Sequence, residues 1–443
     1  MVDLTTTTIF NENERPLRVE IDLHDHTTIR AKMLNWIARF NIFVFLDNPP
    51  SPTEQSGFRV RAAVGAKYRM QVKAVDAFPT LHHFRQAYPG WCFGHIGFDV
   101  KNALYPGLSS AHPSSMAFPD MAFFQPEWIL ELYPDKLIIT GEGDALRCWD
   151  EIQACDSTIE RGYQSGEIAA RVKPSLSREA YIKRLEQLHQ HIQRGDCYEI
   201  NYCQEFGADD VFLNPVGLYE ALVQHSPNPF SVCYRWEDQY CIGASPERFL
   251  RKVGRTVWSQ PIKGTSRRNI QESSADEASK QALLHSEKER AENVMVVDLV
   301  RNDLSRTCLP GSVQVDELFG IYSFPQVHQM ISTVRGELMP DKSILDVLET
   351  CFPMGSMTGA PKKRVLELIE EYETFQRGLF SGTIGYLSPN DDADFNVVIR
   401  SIFYRTDTYQ LRFATGSGIT RYADPAAEYE ECLLKAEAIK AVL

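Results

Sequence analysis

The chain has 443 residues, of which 43% are apolar and 24% charged, the make-up of a soluble protein with a sizeable core. A formal charge of −13 argues against nucleic acid or an anionic membrane as partner, and any anionic substrate would have to meet local cations or backbone N–H donors. No apolar run approaches the ~20 residues that span a bilayer. The longest, at 40–46, is interrupted by Asn41. Asp3 and the threonines after it form neither a basic nor an apolar stretch, so no secretory signal is expected. Ten cysteines at irregular spacing, with no Cys-x-x-Cys pair, read as reduced thiols of a cytoplasmic protein.

The first part of the chain is rich in aromatics, proline and short β-like runs. One run lies at 40–46, before the breaker Asn48-Pro49-Pro50-Ser51-Pro52; another lies at 91–98, with Gly94 and Gly97 inside it. Gly162, Ser165, Gly166, Pro174 and Ser175 mark a connection, which divides the chain into regions 1–165 and 176–443. A helix follows, with Ser177 as N-cap, Ile182, Leu185, Leu188 and Ile192 as its apolar stripe, and Gly195 as its stop. Next comes an alternating strand. Tyr198, Ile200, Tyr202 and Phe206 share one face; Cys197, Glu199, Asn201 and Cys203 share the other. A second long helix is expected over 274–304. A third starts at Pro361, a residue tolerated in the first turn, and the last runs from Asp424-Pro425 to the end. Long helices between separate strands predict a mixed α+β chain.

Several residue groups are candidates for chemistry. Glu289 with Glu292, and Glu428 with Glu431, are spaced i,i+3, which puts each pair on one helical face. Brought together they would suit a hard cation such as Mg²⁺; on spacing alone the plainer reading is a solvated face. Lys263 lies between an apolar residue and Gly264, where burial would lower its pKa and make it nucleophilic. Glu247, after Ser245-Pro246, would rise towards general-acid use if buried, or else simply pair with Arg248 or Arg251. The Gly416-Ser417-Gly418 segment could bring backbone N–H groups to an anion. Residues 355–362 superficially resemble a phosphate-binding loop but fail its pattern, since Ala360 and Pro361 separate Gly359 from Lys362. The pairs His24/His26, His82/His83 and His189/His191 have no cysteine partners and read as structural.

Taken in order, these segments resemble a known family. They are Gly195-Asp196-Cys197-Tyr198-Glu199-Ile200-Asn201, Ser245-Pro246-Glu247-Arg248-Phe249, Pro261-Ile262-Lys263-Gly264-Thr265, and residues 288–306. Val327-His328, Val334-Arg335-Gly336-Glu337, residues 355–362, Ser381-Gly382-Thr383-Ile384-Gly385-Tyr386, Ile399-Arg400-Ser401 and residues 424–435 continue the series. Together they resemble the chorismate-binding enzymes: anthranilate synthase component I, aminodeoxychorismate synthase component I, and the isochorismate and salicylate synthases. The resemblance makes 176–443 the chorismate-binding catalytic region and 1–165 an anthranilate synthase component I-like N-terminal region. It implies two large β-sheets packed on each other, outer helices, and a site between the sheets.

The resemblance also implies roles. Glu292 and Glu431 would hold Mg²⁺, with Glu289 and Glu428 beside them. Arg400, the Gly416, Ser417 and Gly418 backbone and Lys435 would hold carboxylates. Glu247 would be the general acid for a departing C4 hydroxyl, with His328 and Ser356 nearby. Pro-Ile-Lys-Gly-Thr around Lys263 looks like the aminodeoxychorismate synthases of folate synthesis, where Lys attacks C2; anthranilate synthases look like Pro-Ile-Ala-Gly-Thr. No glutaminase motif is visible, so ammonia would come from a separate glutamine amidotransferase subunit. Glu199 stands where ammonia-using relatives have Gln, and Phe380 where many have Tyr. Glu199 is expected to tune the nucleophile site and not to act as the acid. The segment at 43–48 lacks the Leu-Leu-Glu-Ser pattern of tryptophan-regulated relatives, so tryptophan inhibition is not implied. Anthranilate synthase component I, and a non-catalytic regulatory relative, stand as alternatives.

Overall fold

The computed structural model describes residues 9–10, 16–49, 57–164 and 166–443. Asp3 with its threonines, the Pro50-Ser51-Pro52 part of the breaker, and Ser165 lie outside the described residues. Among those described, two antiparallel sheets carry the fold. The first has the order Ile9–Phe10, Pro16–Asp22, Lys136–Gly141, Trp128–Leu132, Val60–Val64, Ile42–Asp47, Phe230–Trp236, Gln239–Ser245, Ser401–Arg405, Gln410–Thr420, Glu199–Ala208, Lys173–Pro174. The short strand Gly359–Ala360 pairs with its Glu199–Ala208 strand. The second sheet has the order Ile262–Arg267, Val327–Glu337, Thr256–Gln260, Arg248–Val253, Ala393–Asn396, Thr383–Leu387, Cys92–Ile96, Met121–Gln125, Tyr68–Val72. Both sheets take strands from before residue 165 and from after residue 176.

Alternation explains the layers. In Ile42–Asp47, Phe43 and Phe45 enter a core with the helices His26–Ile37, Arg178–Arg194, Pro215–His225, Lys362–Tyr372 and Pro425–Lys440. Val44, between them, enters a second core with Tyr234 and Trp236 of the first sheet and Phe93, Leu250, Val257 and Phe395 of the second. The first sheet is therefore covered on both faces, which is why its strands read as nearly unbroken apolar runs. The run at 91–98 becomes Cys92–Ile96, where Gly94 packs so closely on Ala122 and Phe123 that a side chain would collide.

The helix after the connection is Arg178–Arg194: the Ser177 side chain accepts from Ala180 N, and Gly195 ends it at φ 83°. The expected single helix over 274–304 is instead two, Ser273–His285 and Glu287–Ser305. Ser286 between them is extended, and its side chain accepts from Glu289 N. A serine that can bond to backbone N–H groups competes with helix continuation and starts the next helix instead. Pro361 flanks the helix Lys362–Tyr372 rather than opening its first turn. Asp424 caps Pro425–Lys440 by accepting from Ala427 N.

Candidate functional site

The site lies where the two sheets meet. Glu199 opens the strand Glu199–Ala208 of the first sheet; Lys263 lies on Ile262–Arg267 of the second. The Lys263 ammonium donates to Glu199 Oε1 at 2.5 Å, and both side chains are almost fully buried. Beneath them runs Gln410–Thr420, with Asn201 opposite Gly418 and Cys203 opposite Gly416. A Cβ on Gly416 would overlap the Tyr202 carbonyl oxygen at 2.0 Å, and one on Gly418 would meet Glu199 Oε1 at 2.9 Å and Lys263 Nζ at 3.0 Å. These glycines thus clear space within a regular strand instead of forming a turn that cradles an anion. From Ala414 to Thr420 that strand is paired on one side only, leaving backbone groups for a ligand.

Glu247 lies where the chain crosses from Gln239–Ser245 in one sheet to Arg248–Val253 in the other, and its carbonyl accepts from Val397 N. Burial pushes its carboxyl up to about 7, although the Ser356 hydroxyl and the charges of Lys263 and Arg400 oppose the rise. Arg248 turns away to Asp394 and Gln260, so it is not Glu247's partner. Arg400 has φ 51°, a left-handed conformation that costs a side-chain-bearing residue about 1 kcal/mol. That strained residue places a half-buried guanidinium whose charge acts on Glu247.

The sequence reading of Lys263 needs correction. Burial does pull its ammonium down, but Glu199, Glu292 and Glu247 outweigh it, and the group is held well above the ordinary lysine value. At rest it is a charged counter-ion, not a free amine. His328 lies on the strand next to that of Lys263, its Nδ1 pairing with Ser323 Oγ at 2.8 Å and its Nε2 with Asp276 Oδ1 at 3.2 Å. Asp276 is in turn gripped by Arg268. These contacts hold the strand Val327–Glu337 against the helix Ser273–His285. Ser356 lies buried in the turn at Gly355–Met357, and Asn201 donates to its carbonyl at 3.4 Å.

Glu289 and Glu292 come from Glu287–Ser305, Glu428 and Glu431 from Pro425–Lys440. Burial pushes Glu292 up to about 7, with Lys263 opposing, and also raises Glu289. Glu431 is held below its ordinary value: burial would raise it, but Lys435 at 2.8 Å prevails. Lys435 also donates to the Gly416 carbonyl at 2.9 Å. The buried oxygens Glu292 Oε1 and Glu428 Oε2 have no hydrogen-bond partner. Carboxylate oxygens left bare in this way fit a hard divalent cation. No three His, Cys, Asp or Glu side chains among the described residues already stand together as a metal cluster.

Sequence reasoning missed the buried clamp behind the site. Arg377 pairs with Glu373 at 2.6 Å and donates to the carbonyls of Asn201 at 2.9 Å and Met357 at 2.8 Å. Glu373 also accepts from Cys203 N. Gly378 N donates to Asp99, which pairs with Lys101, itself 2.6 Å from Glu370. The i,i+4 spacing of Glu373 and Arg377 was a visible signal, but such pairs are common on exposed faces. Lys362 pairs with Asp303 at 2.6 Å in the interior and so holds the turn to the helix Glu287–Ser305. In the 43–48 segment, Asp47 is tied down by Arg30 at 2.5 Å and Tyr219 at 2.9 Å. The histidine His191 bonds Asp196 and Tyr372, and His189 bonds the Thr420 carbonyl. Phe380 is buried near Arg377. No helix among the described residues is long and apolar enough to cross a membrane.

Comparison with known proteins agrees with this architecture. The chain is 33% identical to aminodeoxychorismate synthase component 1 of Escherichia coli over 380 residues, covering 82% of this chain and 79% of that one. It is 38% identical over 265 residues to a probable chloroplastic aminodeoxychorismate synthase of Oryza sativa, covering 59% of this chain but only 29% of that longer one. The crystal structure of anthranilate synthase component I from Streptococcus pneumoniae superposes with a TM-score of 0.76 at 24% identity, covering 90% and 92% of the two chains, and so shares the fold. Residues 44–441 match the chorismate binding enzyme family, and with that match and the 33% identity across most of the Escherichia coli protein, the chain belongs to the chorismate-binding enzyme family.

Proposed function

We propose that the chain is the chorismate-aminating subunit of an aminodeoxychorismate synthase, making 4-amino-4-deoxychorismate for folate synthesis. One observation carries this reading: Lys263, in Pro-Ile-Lys-Gly-Thr, lies in the cleft between the sheets beside Glu199 and shares its charge environment with Glu247 and Glu292. Relatives named aminodeoxychorismate synthase, one of them a component 1, agree with it.

The chemistry divides among the chain's own residues. Arg400, Lys435 and the one-sided strand at 414–420 offer cations and backbone donors to carboxylates of chorismate, which a chain of charge −13 needs locally. Glu247, with a carboxyl near 7, is protonated in about half of the molecules at neutral pH and gives that proton to the C4 hydroxyl, which leaves as water. Lys263 passes one ammonium proton to Glu199, 2.5 Å away, and its free pair bonds to C2 as both conjugated ring double bonds shift towards C4 and the C4–O bond breaks. Ammonia then bonds to C4, both ring double bonds shift back, and the C2–N bond breaks. The pair returns to Lys263, which recovers its proton from Glu199. Mg²⁺, held by Glu292 and Glu431 with Glu289 and Glu428 beside them, would neutralise charge on the ring carboxylate when bound.

The test is the product. With chorismate, Mg²⁺ and ammonium, the chain should form 4-amino-4-deoxychorismate by chromatography with mass detection, and 4-aminobenzoate only after a lyase is added. Lys263→Ala should lose at least tenfold of this activity and open C2 to ammonia. Anthranilate as the main wild-type product would replace this reading with anthranilate synthase, and no turnover of chorismate at all would favour a regulatory relative.

A further inference from the structure

Lys288 stands inside the acidic cluster, and nothing above gives it a task. It lies one turn before Glu292 on the same helical face and reaches across to Glu428 Oε1 of the other helix at 3.4 Å. The other lysines of the site have second anchors: Lys263 is hydrogen-bonded to Glu199, and Lys435 is fixed to the Gly416 carbonyl. Among the described residues, the one hydrogen bond of the Lys288 side chain is to Glu428. Glu292 Oε1 and Glu428 Oε2 remain bare beside it. Buried carboxylates without a counter-charge are strongly destabilising.

We infer that Lys288 is the resident counter-cation of this cluster, and that a divalent cation binds by displacing it. This rests on the metal reading above. Lys288 holds the helices Glu287–Ser305 and Pro425–Lys440 together while the metal is absent, and it is half-exposed, so it has solvent to swing into when a stronger charge arrives. Its presence therefore weakens metal binding to the substrate-free protein, in exchange for a stable empty site.

The experiment titrates Mn²⁺ into the full chain without chorismate, reading free Mn²⁺ by electron paramagnetic resonance. Lys288→Met should bind Mn²⁺ about tenfold tighter than wild type, the scale of removing one like charge a few ångströms away in a partly solvated site. Lys288→Arg keeps the charge and should bind as weakly as wild type. The metal-free Lys288→Met protein should melt below wild type, and saturating Mn²⁺ should close the gap. Lys288→Gln serves equally if the Met variant fails to fold. Unchanged or weaker Mn²⁺ binding by the neutral variants overturns the inference while leaving the metal site standing. Absence of Mn²⁺ binding in all variants, with chorismate as well as without, overturns the metal reading and this inference together.

Discussion

At the residue scale, the decisive groups have their charge set by burial and by one another. Glu247 and Glu292 are both pushed from 4.5 up to about 7, first by burial. Amination should therefore fall as pH rises through about 7, because Glu247 loses the proton it must donate. Between 4.5 and about 7 the folded protein keeps protons that the unfolded chain has lost, so these groups stabilise fully below 4.5 and lose their contribution as pH rises through about 7. The melting temperature of the metal-free protein should drop between pH 5 and 8, and Glu247→Gln should show a smaller drop by calorimetry. An equal drop in both would remove Glu247 from the account. Lys263 is the opposite case: its neighbours are acids, so burial does not free its amine. That could not be read from Ile262 and Gly264 beside it, because the acids that decide its charge lie far away in the chain.

At the element scale, Arg377 and Glu373 hold the strand that presents Glu199 and Asn201. Arg377→Met leaves the Glu373 carboxylate buried and unpaired, and should cost about 3–5 kcal/mol in urea unfolding. Adding Glu373→Leu should recover most of that loss; a double variant as unstable as the single one would refute the ion-pair explanation. What was legible in sequence had local causes. Ser177 and Gly195 bound their helix because a cap and a left-handed stop act within a few residues, and the i,i+3 Glu pairs are visible because helical geometry alone places them. The break at Ser286 was missed because no proline or glycine marks it in the polar stretch 285–290, while one hydroxyl decides the outcome. Asp276 with His328, and Lys288 with Glu428, were missed because their partners are close only after folding, and the Arg377 clamp because burial, not its i,i+4 spacing, sets it apart. The fold class came from ordered motifs. The pairing of early strands with late ones did not, since no local pattern names a strand's neighbour.

For the whole molecule, nearly all the described chain is spent on the two sheets and their helices, and none of the sequence reads as a glutaminase. The purified chain should aminate chorismate with free ammonium and do nothing with glutamine until a separate amidotransferase is added. Glutamine-dependent turnover by the chain alone, followed by glutamate release, would contradict this. The strand order has a further consequence for how the protein is born. Ser401–Arg405 and Gln410–Thr420 come late in the chain, yet they stand inside the first sheet, between Gln239–Ser245 and Glu199–Ala208. A nascent polypeptide that has emerged only as far as the Thr383–Leu387 strand has two long open edges where interior strands of a sheet should be, and open edges recruit other chains. The expected result is an aggregation-prone interval during synthesis and slow refolding in vitro, since these pairings join segments remote in sequence.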